Sequence, residues 1–498
     1  MGRLIHKIYI FYLLAGLVSI AGFGLRLFYS RTLSSYELGI IYTFIAFITF
    51  FSGFTNLGLS TSLSHILPKY FVKNDTKSIR DLVWYSTLVQ TSVILTLSVL
   101  FIIFYKTIFG FYKLDSSYLP IFYIFIGTFI INNFIITLIL VFQATLKTEL
   151  NQLFSITSNV TILVVACVAF FLNSKELVFY YSLGWLISAI LVLILVLFFT
   201  YKKFPFILTI CSWNKKLFLS LFHDTKYVFI LALIMSSIQT IDMLIISGLL
   251  SIQEGAYYSN AMSIISVLVS QLSVTTIFFI PIFSQLVEKN EIARVSRYLS
   301  FFYEIIIFLI APTILILAIY TKSIILVLFG EKYIDATIIL SLLSIFAIFK
   351  IIWGYQNSFL IGIGEYTKIL KPVLIFSPIY VILLILCTKY LKVVGLVSVV
   401  GFQWIFMSII TFYFLKKRTG IKLQFKRIIM IPVSLGIFYL TIEILKVTFP
   451  LNNYYLKSII IIIFAYLIYL IAGYYLKIFT ISEIKELIPQ INRKKKEN

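Results

Sequence analysis

Lys350 stands inside an apolar run, about fifteen residues from one end and about ten from the other. At about 1.5 Å per residue that is near the middle of a bilayer, where an ionised group is costly unless it faces water or a bundle interior. One turn on come Trp353, Tyr355, Gln356 and Asn357. A midplane cation beside rings and amides suits a phosphate that carries sugars: charge attracts the first, hydrogen bonds and stacking hold the second. The same residues also suit a structural ion pair within a helix bundle. Asp242 lies in another apolar run, with Gln239 three residues earlier on the same helical face. It fits three roles: partner to Lys350 or another cation, acceptor for a proton or sodium ion, or satisfied bundle carboxylate. Arg26 lies near the end of the first run, within snorkelling reach of water, and Arg31 just beyond it. Both are candidates to guide a phosphate at that mouth. Asn132 and Asn133 occupy the middle of a fourth run, and Asn56 and Gln90 the second and third. Amides at such positions either bridge helices or line a pathway. Glu304 and Glu443 lie close enough to the ends of their runs to reach an interface.

The elements that must position these groups are membrane spans. The chain has 498 residues, 61% hydrophobic and only 12% charged, against roughly a quarter charged in a soluble domain. Apolar blocks between charged loops predict fourteen spans: 9–29, 37–67, 82–104, 119–143, 153–172, 177–200, 227–250, 257–283, 299–320, 335–360, 372–388, 393–415, 428–448 and 454–476. No aqueous domain is left over. The formal charge of +22 is distributed for a membrane and not for nucleic acid. Of 41 Lys and Arg, 29 fall on the amino-terminal side of this topology, ten on the other, and Arg26 and Lys350 within spans. Positive charge resists translocation, so the rich side is expected to be cytoplasmic, with both termini there, in an inner or plasma membrane.

Connections are short. The longest, Tyr201 to Lys226, carries Trp213, Leu217, Phe218, Leu221 and Phe222 at helical spacing around Lys215 and Lys216, which reads as an interfacial amphipathic helix or as a greasy linker. Cys167, Cys211 and Cys387 have no metal or redox spacing and read as small apolar fillers. His6, His65 and His223 are scattered, with no carboxylate or thiol at ligand spacing. No catalytic constellation and no G-x-x-x-x-G-K-[ST] loop is present, so neither an enzyme nor an ATP-driven pump is expected, and no cofactor. The first span is longer than a typical signal-peptide core and is expected to be retained. His6 stands where a myristoylation signal needs Ser or Thr.

The sequence also repeats itself. Gly39-Ile40-Ile41-Tyr42 opens span two and Gly255-Ala256-Tyr257-Tyr258 span eight, an offset of 216. Lys73-Asn74-Asp75 matches Lys289-Asn290-Glu291 at the same offset, and Phe109-Gly110 with Asp115 matches Phe329-Gly330 with Asp335 at 220. The unit is six helices, an even number, so both copies cross in the same sense. The expected division is a first lobe over 1–200, a linker over 201–226, a second lobe over 227–415, spans thirteen and fourteen over 416–476, and a basic tail over 477–498.

At these residues the chain resembles the oligosaccharide and polysaccharide flippases of the MOP superfamily. Arg31, Leu33, Glu37 and Gly39 match that family's R-x-L-x-x-x-E-x-G signature, and Leu57-Gly58-Leu59 followed by Pro68 is similar to its second helix. Ile241-Asp242, then Glu254-Gly255-Ala256-Tyr257, resembles its D…(E)-x-G-x-Y-S pattern, and Phe329-Gly330-Glu331-Lys332-Tyr333 with Ala336 its F-G-x-x-Y-x-x-A turn. One departure is the entry to span seven, Phe222-His223-Asp224-Thr225-Lys226-Tyr227, which lacks the proline of many relatives and so argues against a broken helix there. The resemblance implies an all-α membrane protein of two parallel six-helix lobes plus two C-terminal helices. Its cargo would be a glycan joined by phosphate or pyrophosphate to a polyprenyl lipid, moved to the outer leaflet as two lobes rock about a cavity. It also implies membrane lipids as surroundings, H+ or Na+ as the candidate coupling ion, and glycan-assembly enzymes as candidate partners. The competing expectation is an ion-coupled drug or metabolite antiporter of the related MATE branch, which usually stops at twelve helices.

Overall fold

Ser34 starts the second helix by a reciprocal cap: its hydroxyl accepts from the Glu37 amide at 3.3 Å, and the Glu37 carboxylate accepts from the Ser34 amide at 2.8 Å. That box separates α1 (Gly2–Thr32) from α2 (Ser35–Asn56). The computed structural model describes residues 2–145, 148–215, 217–219, 226–363, 366–448 and 454–480. The expected basic tail beyond residue 480, and Leu221, Phe222 and His223 of the linker, lie outside the described residues.

Every regular element described is helical, and ten helices are long and apolar enough to cross a membrane. After α2 come α3 (Leu59–Val72), α4 (Thr76–Ile103), the short α5 (Tyr105–Tyr112), α6 (Leu119–Ala144), α7 (Thr148–Phe171) and α8 (Leu177–Lys203). Then follow α9 (Lys226–Ile238), α10 (Ile241–Leu249), α11 (Ile252–Glu288), α12 (Ile292–Ile319), α13 (Thr321–Leu328) and α14 (Ala336–Gly362). The last are α15 (Leu370–Thr419), α16 (Phe425–Thr448) and α17 (Tyr454–Tyr475). At Lys392 (φ 53°, ψ −138°) α15 is kinked, so one fifty-residue element supplies two helical arms. Gly395 makes that kink possible, because a Cβ there would stand 2.2 Å from the Cys387 carbonyl oxygen.

Helix lengths carry the repeat more clearly than residue identities do. The series α4, α5, α6 runs 28, 8 and 26 residues, and α12, α13, α14 runs 28, 8 and 27. A 3₁₀ turn precedes the last helix in each series, at Ser116–Tyr118 and Glu331–Tyr333. Asp75 caps α4 by accepting from the Ser78 amide at 3.0 Å, and Glu291 holds the equivalent position before α12. Bonds from the Ser78 hydroxyl and amide keep the Asp75 carboxyl below its usual range.

Two spans expected to be single helices are broken. In the second span, Leu57 (φ 47°) and Gly58 (φ 68°) are both left-handed, which ends α2 and starts α3. The seventh span breaks at Gln239 and Thr240, between α9 and α10. The missing proline had argued against a break, but the sequence of this span stops its helix by a turn at its centre, well away from the entry where that proline would act.

The chain divides into two compact units. One comprises Met1–Val274, Lys322–Leu340 and Thr367–Val400; the other comprises Thr275–Thr321, Ser341–Tyr366 and Gly401–Asn498. In the first, Leu59, Leu63 and Leu67 of α3, Tyr85 of α4, Phe142 of α6 and Phe154 of α7 form one buried cluster. The long connection after α8 is sewn onto the start of α4. Asp81 accepts from the Ser212 hydroxyl at 2.6 Å and amide at 3.1 Å, and Trp84 donates to the Ile207 carbonyl at 2.9 Å. Trp213 and Phe218 pack their rings on Tyr85. In the second unit, Pro312 leaves the Phe308 carbonyl of α12 without its helical donor. The Tyr469 hydroxyl of α17 supplies one at 2.8 Å while its ring stacks on Phe308 at 4.3 Å.

Candidate functional site

The two broken helices border a cavity in the first unit. Its volume is about 440 Å³, and its described lining includes Asn56, Gln90, Asn132, Asn133, Gln239 and Thr240 and no charged residue. Gln90 sits at the midpoint of α4 and Asn132 at that of α6, so the polar surface lies at the level where lipid would be driest. Non-helical backbone is tolerated at such depth only where it faces protein or water, and the breaks at Leu57-Gly58 and Gln239-Thr240 obey that rule. Part of the lining is fixed by internal bonds. The Thr137 hydroxyl donates to Gln90 Oε1 at 2.9 Å, and the Ser60 amide donates to Asn56 Oδ1 at 3.0 Å. Asn132 and Gln239 also line the cavity, and their side chains make no hydrogen bond to another described residue. Gly53 brings α2 against α9 at the rim, since a Cβ there would lie 2.1 Å from Ser236 Oγ. Thr49, Ser52, Ser60 and Ser236 complete the wall. Hydroxyls in greasy helices gave no signal in the sequence, because most of them simply donate back to the preceding turn, as Thr49 does to Ile45.

Asp242 begins α10, one turn past the cavity, and is 6% exposed. The hydroxyl of Tyr258 in α11 donates to its carboxylate, the Met243 amide approaches it at 2.8 Å, and Tyr380 of α15 is near enough to feel its charge. A carboxylate in the first turn of a helix is also favoured by the helix dipole. Next along α11 from Tyr258, Ser259 accepts from the Arg26 guanidinium at its hydroxyl, 3.3 Å away. Arg26 also stands over the Tyr42 ring, 5.0 Å from the centroid. Arg26 and Asp242 thus flank one turn of α11 on neighbouring residues.

Lys350 belongs to the second unit, at the middle of α14. Its ammonium lies 4.6 Å from the centroid of Trp404, on the second arm of α15. Gly401 permits this, because a Cβ there would enter the ring of Phe346, one turn before Lys350. Just beyond, Trp353 Nε1, Gln356 Oε1 and Asn357 Oδ1 are buried polar atoms with no partner among the described residues. Such atoms are costly unless something satisfies them, which makes this turn a second polar surface. Glu304, placed by its sequence position near the end of its run, turns inward. It is 1% exposed, with its carboxylate accepting from the Gln424 amide at 2.9 Å and Arg427 at 3.1 Å. Glu443 does lie at a surface, paired with Lys446 at 2.7 Å.

Residues 5–287 match the family described as polysaccharide biosynthesis protein, more than half of the chain. The chain belongs to that family. Over 491 residues it is 26% identical to the uncharacterized membrane protein MJ1068 of Methanocaldococcus jannaschii, covering 94% of each. Its fold is similar to that of the lipid II flippase MurJ in an inward closed conformation, with a TM-score of 0.73, 17% identity, and 93% of this chain and 98% of that one covered. It is also similar to a Vibrio cholerae MATE transporter, VcmN, with a TM-score of 0.61, 12% identity and coverage of 84% and 97%.

In this chain the four motif residues Arg31, Leu33, Glu37 and Gly39 each have a physical task. Arg31 donates to the carbonyls of Leu326, Val327 and Leu328, which end α13, at 3.3 Å for Leu326 and 3.2 Å for Leu328. Lys332 returns the arrangement, donating to the Arg31 carbonyl at 3.2 Å and the Leu33 carbonyl at 2.8 Å at the end of α1. Each cation thus serves the orphan carbonyls of the other's helix. Gly330, at φ +94°, lies against the Arg31 guanidinium, where a Cβ would be 3.2 Å away. Leu33 is buried, Glu37 closes the capping box, and Gly39 admits the backbone of α11. The guanidinium of Arg31, read from sequence as a phosphate guide, is engaged by carbonyls in this structure. Arg31→Ala and Lys332→Ala should each lower the melting temperature of purified protein. In a double-mutant cycle they should couple by about 1 kcal/mol, since both act on one clasp. Strict additivity would show the clasp to be idle.

Proposed function

We propose that this membrane protein carries a lipid-linked glycan, its sugars joined through phosphate or pyrophosphate to a polyprenyl lipid, from the cytoplasmic to the outer leaflet by alternating access. The observation that carries this reading is the neutral cavity, with the open amides of Asn132 and Gln239 among its walls. Sugar hydroxyls are donors and acceptors without charge, and amides at mid-membrane can meet both needs. In the second unit, Lys350 with Trp353, Gln356 and Asn357 beside it offers a cationic and polar surface that suits a phosphate-bearing group. Membership of the polysaccharide biosynthesis family and the fold shared with a lipid II flippase support the same class of cargo. The charge bias among the loops supports a plasma-membrane orientation with both termini in the cytoplasm. The repeat supports two six-helix lobes as the moving parts, with α16 and α17 added to them. We assign no enzymatic step to the chain. Ion coupling draws support from Asp242, a buried carboxylate among phenols that is able to take a proton or a sodium ion. The same carboxylate would serve a MATE-like antiporter.

The test is export in a strain lacking this protein, with its lipid-linked intermediates followed by mass spectrometry. The wild-type chain should clear them. Asn132→Leu with Gln239→Leu should slow clearance roughly thirtyfold, at about 1 kcal/mol per lost hydrogen bond. Normal clearance by the double variant removes the cavity from the pathway. Dye efflux without glycan export would instead favour the antiporter.

A further inference from the structure

The wall of the neutral cavity in the first unit has a hydrogen-bonding polarity of its own. Six hydroxyl residues border it: Thr49, Ser52, Thr55, Ser60, Ser236 and Thr240. In five of them the hydrogen is already spent on the helix that carries it. Thr49 donates to the Ile45 carbonyl at 2.7 Å, Ser52 to that of Thr49 at 2.6 Å and Thr55 to that of Ser52 at 3.0 Å. Ser236 donates to the Leu233 carbonyl at 3.0 Å and Thr240 to that of Ser236 at 3.1 Å. A hydroxyl that donates backwards keeps lone pairs on its oxygen and has no second hydrogen. Such a wall accepts hydrogen bonds and gives none. Asn132 and Gln239 supply N–H groups, but these are neutral, and the described lining holds no cation. Asp242, three residues past Gln239, carries the same sign as an acidic sugar when ionised.

Two kinds of sugar meet this wall differently. A sugar hydroxyl has a hydrogen to give to an acceptor oxygen. A uronic acid carboxylate has none, and it brings a charge that a low-dielectric site without a countercharge penalises heavily. We infer that the cavity selects uncharged, hydroxyl-rich sugars, such as neutral hexoses and N-acetylhexosamines, and rejects glycans whose sugars carry carboxylates. The inference rests on the flippase reading and sharpens it, by naming which lipid-linked glycans the site takes. The rule concerns the sugars alone; the linking phosphate is common to every such cargo and does not discriminate among them.

Full-length protein in liposomes, energised with proton and sodium gradients, is offered two probes on the same polyprenyl diphosphate. One ends in glucose and the other in glucuronic acid, so they differ only in a hydroxymethyl against a carboxylate. Outward arrival is read as oxidation by membrane-impermeant periodate, followed by mass spectrometry. Wild type should move the glucose probe at least roughly a hundredfold faster, because the acid loses a donated bond and strands a charge. Thr49→Val with Ser52→Ala keeps the shape of the wall and removes two acceptors. It should slow the glucose probe roughly tenfold and leave the glucuronate rate unchanged, narrowing the preference. Gln239→Arg adds a cation and should raise the glucuronate rate. Size exclusion of the solubilised variants checks that each is folded, and the conservative Thr49–Ser52 pair decides should Gln239→Arg fail to fold. Equal rates for the two probes in wild type, or a faster glucuronate, would overturn the inference and leave the flippase reading standing. Movement of neither probe would remove both. A preference unchanged in the folded Thr49–Ser52 variant would place its source outside this cavity and overturn the inference as well.

Discussion

Lys350→Ala is expected to abolish glycan export while the protein stays in the membrane at normal abundance. The ammonium sits mid-helix over the Trp404 ring, where the surrounding dielectric is low and a charge acts strongly on anything that enters. Removing one member of such a desolvated contact typically costs 2–5 kcal/mol, about 30- to 4,000-fold in rate or affinity. Stability should change little, since the Phe346–Gly401 approach of α14 to α15 is apolar and remains. Lys350→Arg keeps the charge and should restore a measurable part of export, because a guanidinium also binds phosphate and stacks on an indole. Accumulation of lipid-linked intermediates and immunoblotting of membranes separate activity from abundance. Normal export by Lys350→Ala would remove the residue from the mechanism. Equal loss with Arg and Ala would point to a packing role instead.

Gly39→Val is expected to remove the folded protein altogether. A Cβ at this position would lie 2.1 Å from the Ile252 carbonyl oxygen, which is backbone and has no rotamer to escape into. α2 would have to lift away from the start of α11, breaking the Thr43–Ser247 hydroxyl bond of 2.9 Å one turn on. Overpacking of this kind costs about 3 kcal/mol or more, a large part of the stability of an ordinary fold. Its repeat partner Gly255 is under a similar constraint, with a Cβ 2.4 Å from Ser247 Oγ, and should respond less sharply because a hydroxyl can turn aside. Gly436→Ala is the control: no atom lies within 4 Å of its Cβ, and alanine is the better helix former. Fluorescence-detected size exclusion after heating ranks the three. A Gly39→Val variant as stable as wild type would mean that the two helices do not meet as closely as described.

The matched glycines show how function-bearing spacing can be visible before its cause. Gly39 and Gly255 stood out as an offset of 216 residues, yet nothing in the sequence said that each admits a neighbouring backbone or side chain. The Arg31 motif behaved the same way. Its spacing is readable, but its meaning is a clasp with carbonyls nearly three hundred residues away. Glu304 shows what spacing leaves out, since its position near the end of a run gave no sign of Arg427, its partner across 123 positions.

What the sequence alone determined is local and periodic. Apolar runs bounded by charges specify helices, because in lipid each backbone amide must be bonded within its own segment. The repeat, the neutral amides at mid-span and the single midplane lysine follow from reading those runs in order. What only the tertiary structure decided is which faces meet. Gln90, Asn132 and Gln239 come from three different spans, and hydropathy is blind to the rotation of each helix about its axis. The breaks at Leu57 and Gln239 and the Tyr469 bond to the carbonyl freed by Pro312 also belong to this class. The last of these depends on a partner 161 positions away to satisfy a backbone group that its own helix leaves open.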